Sequence, residues 1–321
     1  MVHQAETDTR PVLIVAGPTA SGKSALALAA ALVFDGVVIN ADSMQVYREL
    51  RILTARPDPD AESRVPHRLY GMLSVRDTCS AARWRAMAVA EIAAAHQTGR
   101  LPVICGGTGL YLRALTDGLS PIPEIPDPVR EAVRERLARE GLPALYAALE
   151  AVDPITAARL PPGDTQRITR ALEVHSATGR PLAKWQAVPA EGPPPGLRFM
   201  TILLQPPRAV LYAACNARLE TMMAEGALAE VQALRQSGTD PTLPAMKALG
   251  VPDFLRHLAG DMTRADAVAA AQQATRRYAK RQSTWFNNQI IADLTIKEKY
   301  SEKLNDKIFS FIRQNLLTPA T

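Results

Sequence analysis

The sequence of 321 residues is poor in cysteine and contains no long apolar run. Its three cysteines, Cys79, Cys105 and Cys215, are odd in number and far apart, which argues against a disulfide framework and against a CxxC zinc site. No stretch approaches the ~18 apolar residues of a membrane-spanning helix, so we expect no membrane association. Residues 1–10 are polar and lack the apolar segment of a signal peptide, which predicts a cytoplasmic protein.

Histidine and aromatic residues are also scarce, with five histidines and 5% aromatic residues. The histidines show no HExxH or similar spacing, so the sequence supports no metal beyond Mg²⁺. Because 47% of the residues are hydrophobic, the chain can bury a core, and its length suffices for one large α/β domain with a smaller module. A net charge of +5 permits nucleic-acid binding without establishing it.

What the sequence does contain is a phosphate-binding loop at residues 17–24. It follows the apolar run 12–16, precedes an Ala/Leu-rich helix and matches the pattern G-x-x-x-x-G-K-[ST]. In such a P-loop, backbone N–H groups surround a di- or triphosphate, Lys23 neutralises its oxygens and the Ser24 hydroxyl can bind Mg²⁺. The candidate phosphate ligands are therefore Gly17, Pro18, Thr19, Ala20, Ser21, Gly22, Lys23 and Ser24.

Short apolar strands alternate with alanine-rich helices along residues 10–120. We expect strands at 12–16, 37–40 and 101–105 and helices at 23–33, about 80–97 and from about 108. This alternation predicts an α/β fold with a parallel sheet, in which sites lie at the C-terminal ends of the strands. Asp42 and the turn Gly106-Gly107-Thr108 follow two of these strands and are therefore expected on the P-loop side.

Two proline-rich segments, 120–127 and 189–196, indicate domain boundaries. The pattern between them is helical, with apolar residues spaced by four and a helix cap at Asp164-Thr165. We therefore expect a helical insertion at 127–197 within a core formed by 10–126 and 198–294, where a strand returns at 199–204. Residues 295–321 hold four of the eight lysines and are expected to form a charged tail helix, for which the sequence gives no function.

A basic stripe is predicted on a helix near the end of the core, where residues 267–292 contain no acidic side chain. Aromatic residues interleave with it, a mixture that suits phosphates and stacked bases. A solvated helix face with its aromatics in the core explains the pattern equally well. The residues are Arg276, Arg277, Lys280 and Arg281, with Tyr278, Trp285 and Phe286 among them.

The P-loop leaves the reaction type open. Phosphoryl transfer also calls for an acidic residue at the end of a second hydrophobic strand, but strand 101–105 ends in Gly-Gly-Thr and the best-placed acid is Asp42. A loop that holds a diphosphate can equally stabilise it as a leaving group.

Five segments resemble, in the same order, the motifs of the bacterial tRNA dimethylallyltransferase (tRNA isopentenyltransferase) family. They are 17–24, 40–47, 106–111, 164–173 and 280–286, and the resemblance extends from about Pro11 to Phe286. It implies a P-loop NTPase-like core and the transfer of a dimethylallyl group from dimethylallyl diphosphate to N6 of the adenosine 3′ to the anticodon. The implied partners are the tRNA anticodon stem-loop, dimethylallyl diphosphate and Mg²⁺ at Ser24, and a monomer is expected.

The resemblance also implies roles for individual residues. Asp42 would take the proton of the attacking amine, Thr108 would help to place the adenine, and Lys23 and Arg218 would contact the diphosphate. An aromatic amine is a poor nucleophile, which suits a carboxylate base, although Asp42 could instead cap a helix or hydrogen-bond to the ligands of Mg²⁺. Together with the basic stripe, the implied tRNA contacts are Asp42, Ser43, Met44, Gln45, Thr108, Arg130, Gln166, Arg167, Ile168, Thr169, Arg170, Arg277, Lys280 and Arg281.

Some features depart from the family pattern, and other functions stay open. Leu53 stands where glycine is expected, Ala214 where arginine is common, and Asn287 where arginine often follows Trp-Phe. Arg130 and Arg218 could be ordinary surface arginines. A small-molecule kinase, a prenyltransferase acting on free adenine nucleotide and a non-enzymatic P-loop RNA-binding protein are the alternatives.

Overall fold

The computed structural model describes residues 9–317 as two compact units. Of the described residues, the core unit comprises 9–116 and 194–317, and the insertion unit comprises Asp117–Pro193. Residues 1–8 and the last four residues of the predicted tail helix, 318–321, lie outside the described residues. None of the described helices is long and apolar enough to cross a membrane.

The core unit is built on a six-stranded sheet in the order β3-β2-β4-β1-β5-β6. All five strand pairs are parallel, which confirms the predicted α/β class. The strands are β1 (Arg10–Ala16), β2 (Gly36–Asn40), β3 (His67–Arg68), β4 (Leu101–Gly106), β5 (Leu197–Leu204) and β6 (Leu294–Ile296). β1 pairs with β4 on one side and with β5 on the other, so the strands before β5 lie on one side of β1 and the later strands lie on the other side. In such sheets, ligands bind beside the C-terminal end of the strand at which the order reverses, which here is β1.

Helices cover both faces of the sheet and form the insertion. They are α1 (Lys23–Val33), α2 (Pro59–Arg64), α3 (Ala81–Gln97), α4 (Gly109–Thr116), α5 (Asp127–Val152), α6 (Pro154–Ala157), α7 (Thr165–Thr178), α8 (Leu182–Gln186), α9 (Arg208–Ala224), α10 (Ala227–Gln236), α11 (Val251–Ala259), α12 (Arg264–Gln289) and α13 (Asn305–Leu317). Two 3-10 helices lie at Pro244–Lys247 and Glu302–Leu304.

The alternation of side chains along β1 divides the core into two apolar layers. Leu13 and Val15 face the layer that contains α1, whereas Val12 and Ile14 face the layer that contains α3 and α4. All four residues are at most 1% exposed. Strands buried on both faces read as continuous apolar runs, which is why β1, β2 and β4 are recognisable in the sequence.

Residues 295–317 differ from the separate tail helix that the sequence predicts. β6 pairs with β5, and α13 buries Ile308, Phe309 and Ile312 in the same apolar layer as α1. The segment therefore belongs to the core unit. Its lysines are exposed, so the lysine-rich composition describes only the surface of the segment that faces solvent. The spacing of its apolar residues determines which surface packs in the core.

The insertion unit is a small helical cluster with its own apolar core. Its observed bounds begin at Asp117 rather than at residue 127, because Ile125 and Ile122 pack in this core ahead of α5. The helix cap is confirmed, since the Arg167 N–H donates to Asp164 Oδ1 at 3.2 Å at the start of α7.

Candidate functional site

The P-loop connects the C-terminal end of β1 to the N-terminus of α1. Gly22 has φ 93° and is the N-cap of α1, a conformation that suits glycine. The first turn of α1 contains no acidic residue, so its N–H groups and the positive end of the helix dipole can accept an anion. The Ser24 hydroxyl lies at this end on an exposed residue.

Two cations of this region are partly removed from water. Lys23 is 8% exposed, and burial lowers the pKa of its ammonium group while the charge of Asp42 opposes that shift. Burial likewise lowers the pKa of Arg218, again opposed by Asp42, and its Nη1 donates to Thr19 Oγ1 at 3.3 Å. A bound diphosphate would compensate the desolvation of both cations, so the site is electrostatically prepared for an anion.

Asp42 is held by a hydrogen-bond network that begins at the end of β2. The fully buried Asn40 side chain accepts from Asp42 N at 2.8 Å and donates to Asp42 O at 2.9 Å and Leu69 O at 3.1 Å. In addition, Trp84 Nε1 donates to Asn40 O at 2.8 Å, and Met44 N donates to Asp42 Oδ1 at 3.0 Å. The carboxylate therefore has a fixed orientation beside the P-loop.

Thr108 follows β4 and is connected directly to the Asp42 segment. Its Oγ1 accepts from Ser43 N at 2.9 Å and its N–H donates to Ala41 O at 3.2 Å. Tyr278 of α12 lies beside Thr108, and burial raises the pKa of its phenol. The two polar residues that the sequence predicts at adjacent strand ends are thus brought together.

Gln282 is a residue of this site whose position the sequence did not reveal. Its side chain, 5% exposed, accepts from Thr19 N at 2.8 Å and donates from Nε2 to Gly107 O at 2.8 Å. It therefore joins the P-loop to the loop that contains Thr108. Its place in the motif 280–286 was visible, but only the fold shows that α12 returns to the P-loop.

A cavity of about 240 Å³ extends from these polar groups into apolar surroundings. Asp42, Thr19 and Arg218 line its polar part. The other lining residues are Ala20, Ser43, Met44, Leu53, Thr54, Cys215, Leu219, Met222, Lys247, Ala248, Leu249, Thr275, Tyr278 and Arg281. An anion site thus opens directly into a pocket of methionine and leucine side chains, which suits a ligand with a charged end and a short hydrocarbon chain.

The predicted tRNA contacts of the core unit fall into two groups. Arg277, Lys280 and Arg281 are exposed on α12, whereas Arg276 is half-buried and its Nη1 donates to Asn216 Oδ1 at 2.6 Å. Gln45 is 8% exposed. Its amide donates to Thr54 O at 2.8 Å and to Ala55 O at 2.9 Å, so this side chain braces the loop.

The predicted contacts of the insertion unit are surface residues with one exception. Gln166 and Arg167 are exposed, while Arg130, Thr169 and Arg170 are half-buried, and weak salt bridges of 3.6 Å join Arg167 to Asp164 and Arg170 to Glu173. Ile168 is fully buried in the core of the insertion unit. Its side chain holds the insertion unit together, and the contact with tRNA predicted for Ile168 stays a prediction.

The positions that depart from the family pattern have separate surroundings. Leu53 is 7% exposed and packs in an apolar cluster with Phe254. Ala214 borders the P-loop cavity, and Asn287 is exposed. Among the described residues, no cluster of three or more His, Cys, Asp or Glu side chains could hold a metal ion.

Comparison with known proteins agrees with this geometry over nearly the whole chain. The chain is 60% identical over 284 residues to a tRNA dimethylallyltransferase of Rhodospirillum centenum, covering 88% of this chain and 90% of that protein. A tRNA dimethylallyltransferase of Rhodospirillum rubrum is 49% identical over 321 residues, covering 99% of this chain and 98% of that protein.

Solved structures show the same fold. The full-length tRNA isopentenylpyrophosphate transferase of Bacillus halodurans is 31% identical, with a TM-score of 0.69 and coverage of 96% of this chain and 97% of that one. A eukaryotic dimethylallyltransferase acting on tRNA is 23% identical with a TM-score of 0.76, covering 96% of this chain and 79% of that one. The family model described as IPP transferase matches residues 45–289, and this chain belongs to that family.

Proposed function

We propose that this protein transfers a dimethylallyl group from dimethylallyl diphosphate to N6 of the adenosine 3′ to the anticodon in tRNA. The observation that carries the proposal is the position of the Asp42 carboxylate, which lies between a P-loop and an apolar cavity. Relatives that are about half identical or more over most of the chain bear the name tRNA dimethylallyltransferase.

The diphosphate would bind at the P-loop with its hydrocarbon chain in the apolar part of the cavity. Lys23 and Arg218 would neutralise the phosphate oxygens, and the N–H groups at the start of α1 would donate to them. The dimethylallyl group would lie against Leu219 and Met222. Methionine adapts to irregular apolar shapes, which suits a small branched chain.

The reaction is a substitution at the allylic carbon. The lone pair of the N6 amine forms the new C–N bond while the C–O bond breaks, and its electron pair leaves with the diphosphate. Asp42 accepts the N6 proton, and the cations around the P-loop stabilise the charge on the departing oxygen. Thr108, held to Ser43 by hydrogen bonds, would orient the adenine.

The residues fit a magnesium ion that arrives with the diphosphate. Mg²⁺ binds proteins through one or two oxygen ligands and takes its remaining ligands from phosphates and water. The exposed Ser24 hydroxyl at the start of α1, which lines the P-loop cavity, offers such an oxygen. When bound, the ion would supply charge stabilisation for the leaving diphosphate.

The tRNA would contact the exposed cations of α12 and of α7 through its phosphates. The target adenine must leave the stack to reach the cavity, as for other enzymes that modify a base. Arg277 and Lys280 are exposed on α12, and Arg281 lies 5.6 Å above the Tyr278 ring at the cavity edge. A monomeric state and a cytoplasmic location stay predictions.

Three reactions test the proposal. Purified protein is incubated with labelled dimethylallyl diphosphate and an unmodified anticodon stem-loop in the first, and with labelled dimethylallyl diphosphate and AMP in the second. The third contains ATP in place of dimethylallyl diphosphate. We expect label in the stem-loop, at N6 of the adenosine 3′ to the anticodon, with release of diphosphate. Label in AMP at a comparable rate would favour the prenyltransferase of free nucleotides. Phosphoryl transfer from ATP, without prenyl transfer, would contradict the proposal and favour a kinase.

A further inference from the structure

The lysine-rich segment 297–307 has no role in the reaction described above, yet one of its lysines reaches the phosphate loop. Lys299 lines a cavity of about 290 Å³ together with Lys23, Ser24 and Arg218. We infer that Lys299 is a third cation of the diphosphate site, supplied by the connection between β6 and α13. The inference rests on the proposed function for the identity of the substrate, but not for the presence of a diphosphate site.

The backbone next to Lys299 is attached directly to the P-loop. Tyr300 N–H donates to Ser21 O at 3.0 Å. A Cβ atom on Gly22 would lie 2.9 Å from Tyr300 Cβ, so the two segments are in close contact at the beginning of α1. The position of Lys299 is therefore tied to the loop whose N–H groups would hold the diphosphate.

Elements on both sides of Lys299 fix this connection. Before it, β6 extends the sheet by pairing with β5. After it, the Tyr300 hydroxyl donates to Asn305 Oδ1 at 2.6 Å at the start of α13, which packs in the core layer of α1. A chain segment held at both ends can keep one side chain near the P-loop at a small entropic cost.

The charge of Lys299 is available for a ligand. Its side chain is exposed, and within residues 9–317 it forms no salt bridge. Lys23 and Arg218 lie deeper and are desolvated, whereas Lys299 is hydrated and its flexible stem can follow an anion. The three cations would surround a diphosphate from the loop, from α9 and from the solvent side.

A diphosphate is favoured over a tRNA phosphate as the ligand of Lys299. The cavity that it lines is formed by Ala20 and residues 22–25 of the P-loop region, with Ala55, Ala214 and Arg218, and none of the exposed cations of α12 lines it. Contact with tRNA is therefore an outcome for the experiment to detect, and it would require Lys299 to point away from this cavity.

The test compares Lys299→Ala and Lys299→Arg with Lys297→Ala, a matched change of an exposed lysine in the same segment. Calorimetry with inorganic diphosphate and Mg²⁺ gives Kd, and steady-state transfer gives separate KM values for dimethylallyl diphosphate and tRNA. We expect Lys299→Ala to raise the diphosphate Kd and the prenyl diphosphate KM about 5- to 30-fold. Lys299→Arg should retain most of the affinity, and Lys297→Ala should match wild type.

Unchanged diphosphate affinity in Lys299→Ala would overturn the inference. A rise confined to the KM for tRNA would overturn it as well, because it would assign Lys299 to RNA. If wild type binds diphosphate and Lys299→Ala binds it weakly, but no prenyl group reaches tRNA, then the third cation stands and the proposed transferase function fails. Thermal unfolding of the variant should match wild type, since the side chain is exposed.

Discussion

Replacing Gln282 should weaken both the fold and the diphosphate site, because this one amide joins the P-loop to the Thr108 loop. In Gln282→Met the side-chain volume is similar, but both hydrogen bonds are lost. The carbonyl of buried Gly107 would lose its partner at a cost of about 1–3 kcal/mol, and the half-buried Thr19 N–H would add about 1 kcal/mol. We expect the free energy of unfolding to fall by about 2–4 kcal/mol.

Gln282→Glu separates the two hydrogen bonds. At neutral pH its carboxylate can still accept from Thr19 N–H, but it cannot donate to Gly107 O and would face that carbonyl with a negative charge. We therefore expect Gln282→Glu to be at least as destabilised as Gln282→Met. Gln273→Met, an exposed change on the same helix, is the matched control.

Urea unfolding measures the stability of these variants. Calorimetry measures their affinity for inorganic diphosphate, which depends on the geometry of the P-loop. Because the Thr19 N–H belongs to that loop, diphosphate affinity should fall in Gln282→Met and stay at the wild-type level in Gln273→Met. A Gln282→Met variant within about 0.5 kcal/mol of wild type in both measurements would refute the bridging role.

Three further variants test other parts of the site. Asp42→Asn keeps the acceptor for Met44 N but loses basicity, so single-turnover prenyl transfer should slow by about 10²–10⁴-fold with little change in substrate affinity. Lys23→Met should abolish diphosphate binding yet raise the unfolding free energy of the free protein, because burial lowers the pKa of Lys23 from 10.5. Arg277→Ala with Arg281→Ala should weaken tRNA binding and reduce its salt slope by about one unit per lost phosphate contact, measured by filter binding.

The sign of the Lys23 effect also fixes its pH dependence. With a lowered pKa in the folded state, the unfolded chain binds the Lys23 proton more tightly, so this group's contribution to stability rises with pH until the unfolded value of about 10.5. The stability advantage of Lys23→Met should therefore shrink in alkaline solution. A stability advantage of Lys23→Met that grows with pH would contradict the burial argument.

For Asp42→Asn, a loss confined to Mg²⁺ affinity, with normal turnover at saturation, would show that another residue is the base.

Features set by local sequence were predictable. The buried strands, the start of α1 directly after the P-loop and the cap at Asp164 each depend on a few neighbouring residues, and all are confirmed, whereas phosphate binding by the P-loop stays a prediction. Asp42 and Thr108 were expected near each other because parallel strands end at the same edge of the sheet, and Ser43 N connects them at 2.9 Å. The buried face of α7 was also readable from the spacing of Ile168, Ala171 and Leu172, although the family motif suggested RNA contact for Ile168.

Features that depend on long-range return of the chain were not predictable. Gln282 accepts a hydrogen bond from Thr19, which lies 263 positions earlier in the sequence, and the residues around neither position predict this contact. β3 and β6 contain two and three residues, too few to show a period of their own. They form because the edges of β2 and β5 have unpaired backbone groups, with which β3 and β6 pair. The composition shift at the lysine-rich segment was visible, but the approach of Lys299 to the P-loop follows only once β6 joins the sheet.

The position of α12 explains why binding of tRNA and organisation of the P-loop can depend on one element. One face of this helix presents Tyr278 and Gln282, four residues apart, to Thr108 and to the P-loop. The opposite face exposes Arg277 and Lys280 to solvent. Because a packed helix moves as a rigid unit, an RNA that binds the exposed face and displaces α12 would also move Tyr278 and Gln282. We therefore expect bound tRNA to change the diphosphate affinity of wild type, and we expect this effect to weaken in Gln282→Met, where the hydrogen bond to Thr19 is lost. Calorimetry with inorganic diphosphate, in the presence and absence of the anticodon stem-loop, measures the effect, and equal coupling in the two proteins would contradict the role of Gln282.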